Sequence, residues 1–184
     1  MNDSKWQILN QENIIDHPFL RVDAQTIALP DGRVIPDWHW VHARDYVIIV
    51  AVDEQRRVLI LDGYKHGVGR DNWQVVGGYL EAGEEPLPCA QRELQEEVGL
   101  AADGWDLLGA YVVDANRHVG VGNFFLAQGL RPVENLPSDD LEQATLHWVA
   151  LPEIQQALGD GRVGALAHAT ALSLALLKLS EAEA

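Results

Sequence analysis

Residues 78–100 read GYLEAGEEPLPCAQRELQEEVGL, and the charge pattern in this stretch decides how the rest of the chain is read. A glycine-rich turn carrying Glu81 and Glu84 leads into Glu85-Pro86, a helix start in which proline at the first position loses no needed donor. Pro88 still falls in the first turn, where backbone N–H groups have no helical partner. The spacing predicts a helix running to Val98, with Gly99 as its left-handed C-terminal cap.

On that helix Glu93, Glu96 and Glu97 stand three and four residues apart, so their carboxylates share one face. Like charges at that spacing cost about 0.2–0.5 kcal/mol per pair. Carboxylates near a helix C-terminus oppose the macrodipole by roughly 0.3–1 kcal/mol more each. A cation must compensate, and Arg92 neutralises only part of the cluster. Hard divalent ions such as Mg2+ or Mn2+ prefer carboxylate and carbonyl oxygens, so a metal site is the natural reading.

The spacing G-x5-E-x7-R-E-U-x-E-E-x-G-U, with U aliphatic, resembles the signature box of the Nudix hydrolases. Gly78, Glu84, Arg92, Glu93, Leu94, Glu96, Glu97, Gly99 and Leu100 fill its defined positions. The resemblance implies hydrolysis of the pyrophosphate bond in a nucleoside diphosphate linked to another moiety, with Mg2+ or Mn2+ as cofactor. It makes Glu93 and Glu97 direct metal ligands, with the Gly77 carbonyl beside them, since glycine lets backbone approach closely. Glu96 completes the site as a ligand or by holding a metal-bound water, and Arg92 pairs with Glu84 or Glu96 to orient the carboxylates. The base that takes the proton from water is Glu96 or a carboxylate of the acidic segment before the last strand, where Glu142 is best placed.

Composition sets limits around this box. A chain of 184 residues, 47% of them hydrophobic, is long enough for one well-buried core with an N-terminal extension. The formal charge of −15 argues against general nucleic-acid binding. The start, MNDSKWQILNQEN, has no apolar signal core, and no run reaches the roughly 18 apolar residues of a membrane helix, so a cytoplasmic, membrane-free protein is expected. Cys89 is the only cysteine, which excludes an internal disulfide, and its place in the box helix suggests packing.

Working outward, residues 1–18 read as a short strand or a loosely attached arm. FLRVDAQTIAL (19–29), the Pro30-Asp31-Gly32 turn and RVIPDWHWVHA (33–43) read as a hairpin whose second strand is an edge or bulged because of Pro36. Trp38 and Trp40 share one face of that strand, where they either stack on a base, pack against a second subunit or cover the chain's own core. Such a hairpin resembles the N-terminal region of ADP-ribose pyrophosphatase-like Nudix enzymes, in which it helps form a homodimer. Tyr46–Val52 and Val58–Leu61 read as strands, the first buried on both faces. The family's Gln-Tyr-Arg motif, whose arginine touches substrate phosphates, is represented by Gly63-Tyr64-Lys65-His66. Lys65 supplies the charge but not the bidentate geometry.

Asn72–Gly78 reads as the strand feeding the box. Trp105–Asp114 and Asn123–Gln128 follow as strands joined by a glycine-rich loop at 115–122, whose Arg117 and His118 are candidates for binding phosphate as the loop closes over substrate. Ala144–Leu151 is a last strand, Pro152–Leu158 a short helix and 165–179 a long helix, apolar nearly all round and so expected to be well buried. The implied fold is α+β, a Nudix-type α/β/α sandwich with a mixed sheet. Its organisation is an extension over residues 1–44 and a hydrolase domain over 45–184. A nucleotide sugar, ADP-ribose first, is the expected substrate. Asn116 stands where ADP-ribose hydrolases carry proline, and this keeps triphosphates, dinucleotides and a catalytically silent nucleotide sensor as alternatives.

Overall fold

The computed structural model describes residues 5–134 and 143–181. The chain forms two compact units, Met1–Asp45 with Tyr111–Val121, and Tyr46–Ala110 with Gly122–Ala184.

In the first unit, β1 (Gln7–His17), β2 (Leu20–Ala28) and β3 (Val34–His42) form an antiparallel meander. The expected hairpin is therefore extended by a full strand where the sequence suggested a short strand or an arm. Every residue of β1 is exposed, so no alternation of polar and apolar residues announces it. Its anchor is polar: the buried Asp23 carboxylate accepts hydrogen bonds from Gln11 Nε2 at 2.8 Å and Asn13 Nδ2 at 3.1 Å on β1. Arg21 Nε at 3.0 Å and His42 Nε2 at 2.9 Å complete its shell. The β2–β3 turn is closed by Gly32 N–H on the Leu29 carbonyl at 3.0 Å, with Gly32 at φ 86°. Around Pro36 the β2–β3 register slips between Gln25 and Ile27, the bulge expected of a residue that cannot donate to the ladder.

The segment expected as a long glycine-rich loop over 115–122 is instead a tight turn. Asp114 Oδ1 accepts the N–H groups of Asn116 and Arg117 at 2.7 and 2.8 Å, and a strand, β9 (His118–Pro132), resumes at once. His118 and Val119 have φ of 69° and 68°, an unfavourable region for a β-branched residue. They are held there by parallel pairing with Val41 and His42 of β3. Glycine content in this segment signals close packing: a Cβ on Gly120 would meet the Arg44 carbonyl at 3.2 Å.

In the second unit, β4 (Tyr46–Ala51) lies between β7 (Val76–Tyr79), antiparallel, and Gly122–Ala127 of β9, parallel. A 3-stranded sheet runs β10 (Thr145–Ala150), β5 (Arg57–Lys65), β6 (Arg70–Gln74). The stretch Asn72–Gly78 is thus not one strand. The chain leaves one sheet after Gln74 and joins the other at Val76. Sequence periodicity did not reveal the break because Val75 and Val76 are both buried. The Val75 N–H donates to Nδ1 of His168 at 3.3 Å, which satisfies a backbone group left between ladders.

A further strand, β8 (Leu100–Asp114), pairs with β9. The helices are α1 (Pro86–Val98), α2 (Leu151–Asp160) and α3 (Leu166–Glu181). Alternate residues of β4 divide between two cores. Val47, Ile49 and Ala51 pack with Cys89, Ala90 and Leu94 of α1, while Ile48 and Val50 pack with α2 and α3 through Ile154, Leu172 and Ala175. Helices therefore cover both faces of the strands, as the α+β sandwich reading requires. α3 is buried along one face only. His168, Ala171, Leu172, Ala175 and Leu179 are inside, whereas Leu166 and Leu177 are 78% and 63% exposed, so its apolar circumference overstated its burial.

Candidate active site

The helix of the box forms as its sequence requires. Glu85 is extended at φ −85°, Pro86 begins the helix, and Gly99 ends it at φ 63° with its N–H on the Gln95 and Leu94 carbonyls. Leu94, fully buried among Val47, Val76 and Phe125, fixes which face is turned inward. By analogy with buried leucines elsewhere, replacing it with alanine costs about 2–5 kcal/mol. The last turn of α1 holds no basic residue, so no cation there complements the macrodipole.

Arg92 is the hub. Its Nε and Nη2 each reach the Glu84 carboxylate at 2.9 Å, a bidentate pair, while Nη1 reaches Glu93 Oε1 at 2.7 Å and Glu96 Oε2 at 2.8 Å. Nη2 also donates to the Tyr79 carbonyl at 3.3 Å. Glu84 in turn accepts the Glu81 N–H at 2.9 Å, so the arginine ties the glycine-rich turn to the helix. The Arg92 hydrogen bonds hold the Glu84 carboxyl down to about 2. The hydrogen bonds to Glu84 first, and those to Glu93 and Glu96 after, raise the guanidinium above its ordinary value. Cys89 lies under this group, its thiol pushed up to about 12 by burial and then by the charge of Glu84, so it packs as a protonated, unreactive side chain.

Glu97 turns the other way and accepts the Gly77 N–H at 3.2 Å. Opposite the helix, Gly77 and Gly78 pair with Ile48 and Val47 of β4. A Cβ on Gly78 would overlap the Glu93 carboxylate, and one on Gly77 would stand 2.6 Å from Ile48 Cδ1 and 2.7 Å from the Val47 carbonyl oxygen. Bare backbone is what brings the carboxylates this close to β7. The donor set consists of oxygens from three carboxylates and exposed main chain, with a single guanidinium against four glutamates, and it fits a hard divalent cation. Among the described residues no three acidic, histidine or cysteine side chains already converge on one point. Arg92 draws Glu93 and Glu96 to one side, and Glu97 bonds to backbone on the other.

Glu142 lies outside the described residues. Lys65 is the last residue of β5, opposite Arg70 of β6, and its charge, after burial, helps push His168 down to about 4. In the first unit, Trp38 and Trp40 share a face as expected. Trp38 packs edge-on to Trp6 at 5.3 Å and donates Nε1–H to the Asn116 carbonyl at 3.0 Å, and Trp40 stacks on His118 at 5.1 Å. Arg117 is held in the turn between them by its backbone. Sequence reasoning did not single out the Tyr79 carbonyl as a partner of Arg92, since a main-chain acceptor leaves no trace in residue type.

A Nudix domain profile matches residues 42–167, and the profile of the nucleoside diphosphate sugar hydrolase N-terminal domain matches residues 6–41. The chain is 30% identical to the CMP-5'-(N-acetyl-N-hydroxy-3-aminopropyl)phosphonate hydrolase of Streptomyces rubellomurinus, over 86% of this chain and 76% of that one. It is 29% identical to the ADP-ribose pyrophosphatase of Mycobacterium tuberculosis, over 89% of this chain and 79% of that one. The solved structure of an ADP compounds hydrolase shares the fold, with a TM-score of 0.84 at 23% identity, covering 97% of this chain and 96% of that one. Among the described residues no helix is long and apolar enough to cross a membrane. The complete box on α1 and a domain match that spans most of the chain lead to one conclusion: this protein belongs to the Nudix family and is a pyrophosphohydrolase, in a family that generally works with divalent metal ions.

Proposed function

We propose that this enzyme, acting in the cytoplasm, hydrolyses the pyrophosphate bond of a nucleoside diphosphate joined to a sugar, ADP-ribose first. The observation that carries this reading is the match of residues 6–41 to the N-terminal domain of nucleoside diphosphate sugar hydrolases. The ADP-ribose pyrophosphatase relative supports the choice of adenine. In the reaction, water attacks one phosphorus, the bridging P–O bond breaks, and two phosphomonoesters leave.

Glu93, Glu97 and the Gly77 carbonyl, with Glu96, are the groups that would hold Mg2+ or Mn2+. When bound, such ions neutralise the diphosphate charge and acidify the attacking water. Arg92 keeps the carboxylates oriented through its pairs with Glu84, Glu93 and Glu96. Glu96 or Glu142 takes the proton from water, Lys65 and Arg117 contact phosphate, and Trp38 and Trp40 either stack on the base or pack against a second subunit. The homodimer formed through the N-terminal strands is part of the same proposal, and a dimer mass by light scattering at micromolar concentration is its expected outcome.

Comparison of kcat/KM for ADP-ribose, GDP-mannose, UDP-glucose, a CMP conjugate and dGTP with Mg2+ tests the substrate. ADP-ribose is expected to lead. A clear preference for dGTP overturns the nucleotide-sugar reading, and tight binding of nucleotide with no turnover in any metal points to a sensor.

A further inference from the structure

His168, in the first turn of α3, is 9% exposed, and its ring reaches from the helix to the backbone that passes between the two sheets. The ladder of β6 ends at Gln74 and that of β7 begins at Val76. Between them Val75 turns its side chain into the core shared with α2 and α3, and Val76 turns into the core against α1. The N–H groups of Trp73, Val75 and Gly77, two residues apart, are taken in turn by the Arg162 carbonyl at 2.9 Å, His168 Nδ1 at 3.3 Å and Glu97 Oε1 at 3.2 Å. The C-terminal segment is also fastened to this stretch by the Gly164 N–H on Asn72 Oδ1. His168 therefore links that fastening to the carboxylate of the box helix.

Strand β7 depends on such a link. It is four residues long, stands at the end of its sheet beside β4, and has glycine at two of its positions. Glycine has no side chain to pack and weakens a strand. Yet Gly78 has to be bare for Glu93 to approach, and Gly77 for the strand to lie against Ile48. The strand is thus held by its ends. At the far end Arg92 Nη2 donates to the Tyr79 carbonyl at 3.3 Å, and at the near end His168 accepts from Val75. A main-chain N–H only donates, so the ring nitrogen facing it is the unprotonated one, and this sets the tautomer. Burial, and after it the charge of Lys65, lowers the ring to about 4, which keeps that nitrogen an acceptor at neutral pH. Without the acceptor the Val75 N–H is left unmet inside the protein, and the backbone is drawn toward water.

We infer that His168 is a positioning residue for the active site: its Nδ1 holds the Val75 N–H and so sets where Gly77 stands relative to Glu97. The metal-binding consequence rests on the proposed reading of the Gly77 carbonyl and Glu97 as ligands.

Two replacements in the full chain test this. Asparagine carries an oxygen near the place of Nδ1 and leaves a cavity where the rest of the ring was, whereas leucine fills the space and has no acceptor. In His168→Leu the Gly77 backbone N–H signal of the metal-free protein should move in NMR spectra. Mg2+ affinity by calorimetry should weaken about tenfold, and kcat for ADP-ribose should fall by a similar factor with KM little changed. In His168→Asn all of these should stay near the unaltered protein, even where its Tm is the lower of the two. A role in packing alone would rank the variants by Tm. Equal losses in both variants, an unmoved Gly77 signal in His168→Leu, or a His168→Leu protein with both Mg2+ affinity and kcat unaltered overturns the inference. So does an imidazole 15N spectrum of the unaltered protein that shows the proton on Nδ1, a measurement that needs neither variant to fold. A moved Gly77 signal and lowered kcat with Mg2+ affinity intact keep the positioning and remove Gly77 from the metal ligands. A moved signal and weakened Mg2+ affinity in a protein that never turns over ADP-ribose keep the positioning and remove the substrate reading.

Discussion

Asp23 in the first unit and Arg92 in the second are both centres of charged networks, and they are built in opposite proportions. Asp23 is one carboxylate among donors: Gln11, Asn13, Arg21 and His42 all point at it, and its side chain is completely buried. Arg92 is one cation among carboxylates: Glu84, Glu93 and Glu96 share it, and Glu97 on the same helix turns instead to the Gly77 N–H. The first network is closed, since a carboxylate accepting several hydrogen bonds has no demand left. The second gathers carboxylates around one guanidinium, in a place where the helix dipole disfavours negative charge. A carboxylate surrounded by donors holds strands together, whereas carboxylates gathered around one cation are the kind of donor set that suits a hard divalent ion.

The largest consequence lies in the open network. Glu97→Gln keeps the shape of the side chain and removes its charge, and kcat is expected to fall by more than roughly 100-fold, beyond what an outer-sphere partner of a metal ligand is worth. Excess EDTA on the unaltered enzyme should have the same result. Asp23→Asn, in the closed network, should leave kcat within the error of the assay while lowering Tm. Full activity in EDTA, or in Glu97→Gln, breaks the contrast by showing that α1 is a solvated acidic face.

Arg92→Lys sharpens it. Lysine brings one point charge where the guanidinium makes separate bonds to three carboxylates, so the Glu84 pair and the Glu93–Glu96 pairs cannot all survive. Activity should drop roughly 10–100-fold, the range for groups that orient metal ligands. The affinity for Mg2+, followed by calorimetry, should weaken along with it. A lysine variant with wild-type metal affinity and low kcat would instead place Arg92 on the substrate.

These contrasts also mark what was legible in the sequence. The open network was readable because its residues are local: Glu84, Arg92, Glu93, Glu96 and Glu97 sit on one turn and one helix, and helical spacing alone puts them together. The closed network was not. Gln11, Asn13, Arg21, Asp23 and His42 come from separate strands, and their partnership depends on a register that includes slips in the β1–β2 ladder. Strand β1 was only half legible for the same reason, since its polar, fully exposed sequence shows no buried period. The break at Val75 escaped because a valine pair reads alike whether it continues one strand or passes between two sheets. Asn72 and His168 were invisible because their roles depend on contacts with residues some ninety positions away.

The smallest effect, and the sharpest comparison, is in acid. Asp23 is lowered from 3.8 to about 2: burial opposes this, and the hydrogen bonds from Asn13, Arg21 and His42 outweigh it. Glu84 is lowered from 4.5 to about 2, chiefly by the hydrogen bonds of Arg92. In both cases the unfolded chain binds protons at a higher pH than the folded one, so stability rises with pH across that interval. The contribution of Glu84 is complete above 4.5 and is lost as pH falls toward 2, and that of Asp23 is complete above 3.8 and is lost over the same approach. Denaturant unfolding of the metal-free protein from pH 7 downward should therefore show no dependence on these groups until about pH 5, then a decline. Glu84→Gln should flatten the upper part of that decline, and Asp23→Asn should flatten only its lower part. If the two variants and the unaltered protein decline in parallel, neither carboxylate is held by its network in solution, and the distinction between a closed and an open cluster fails with them.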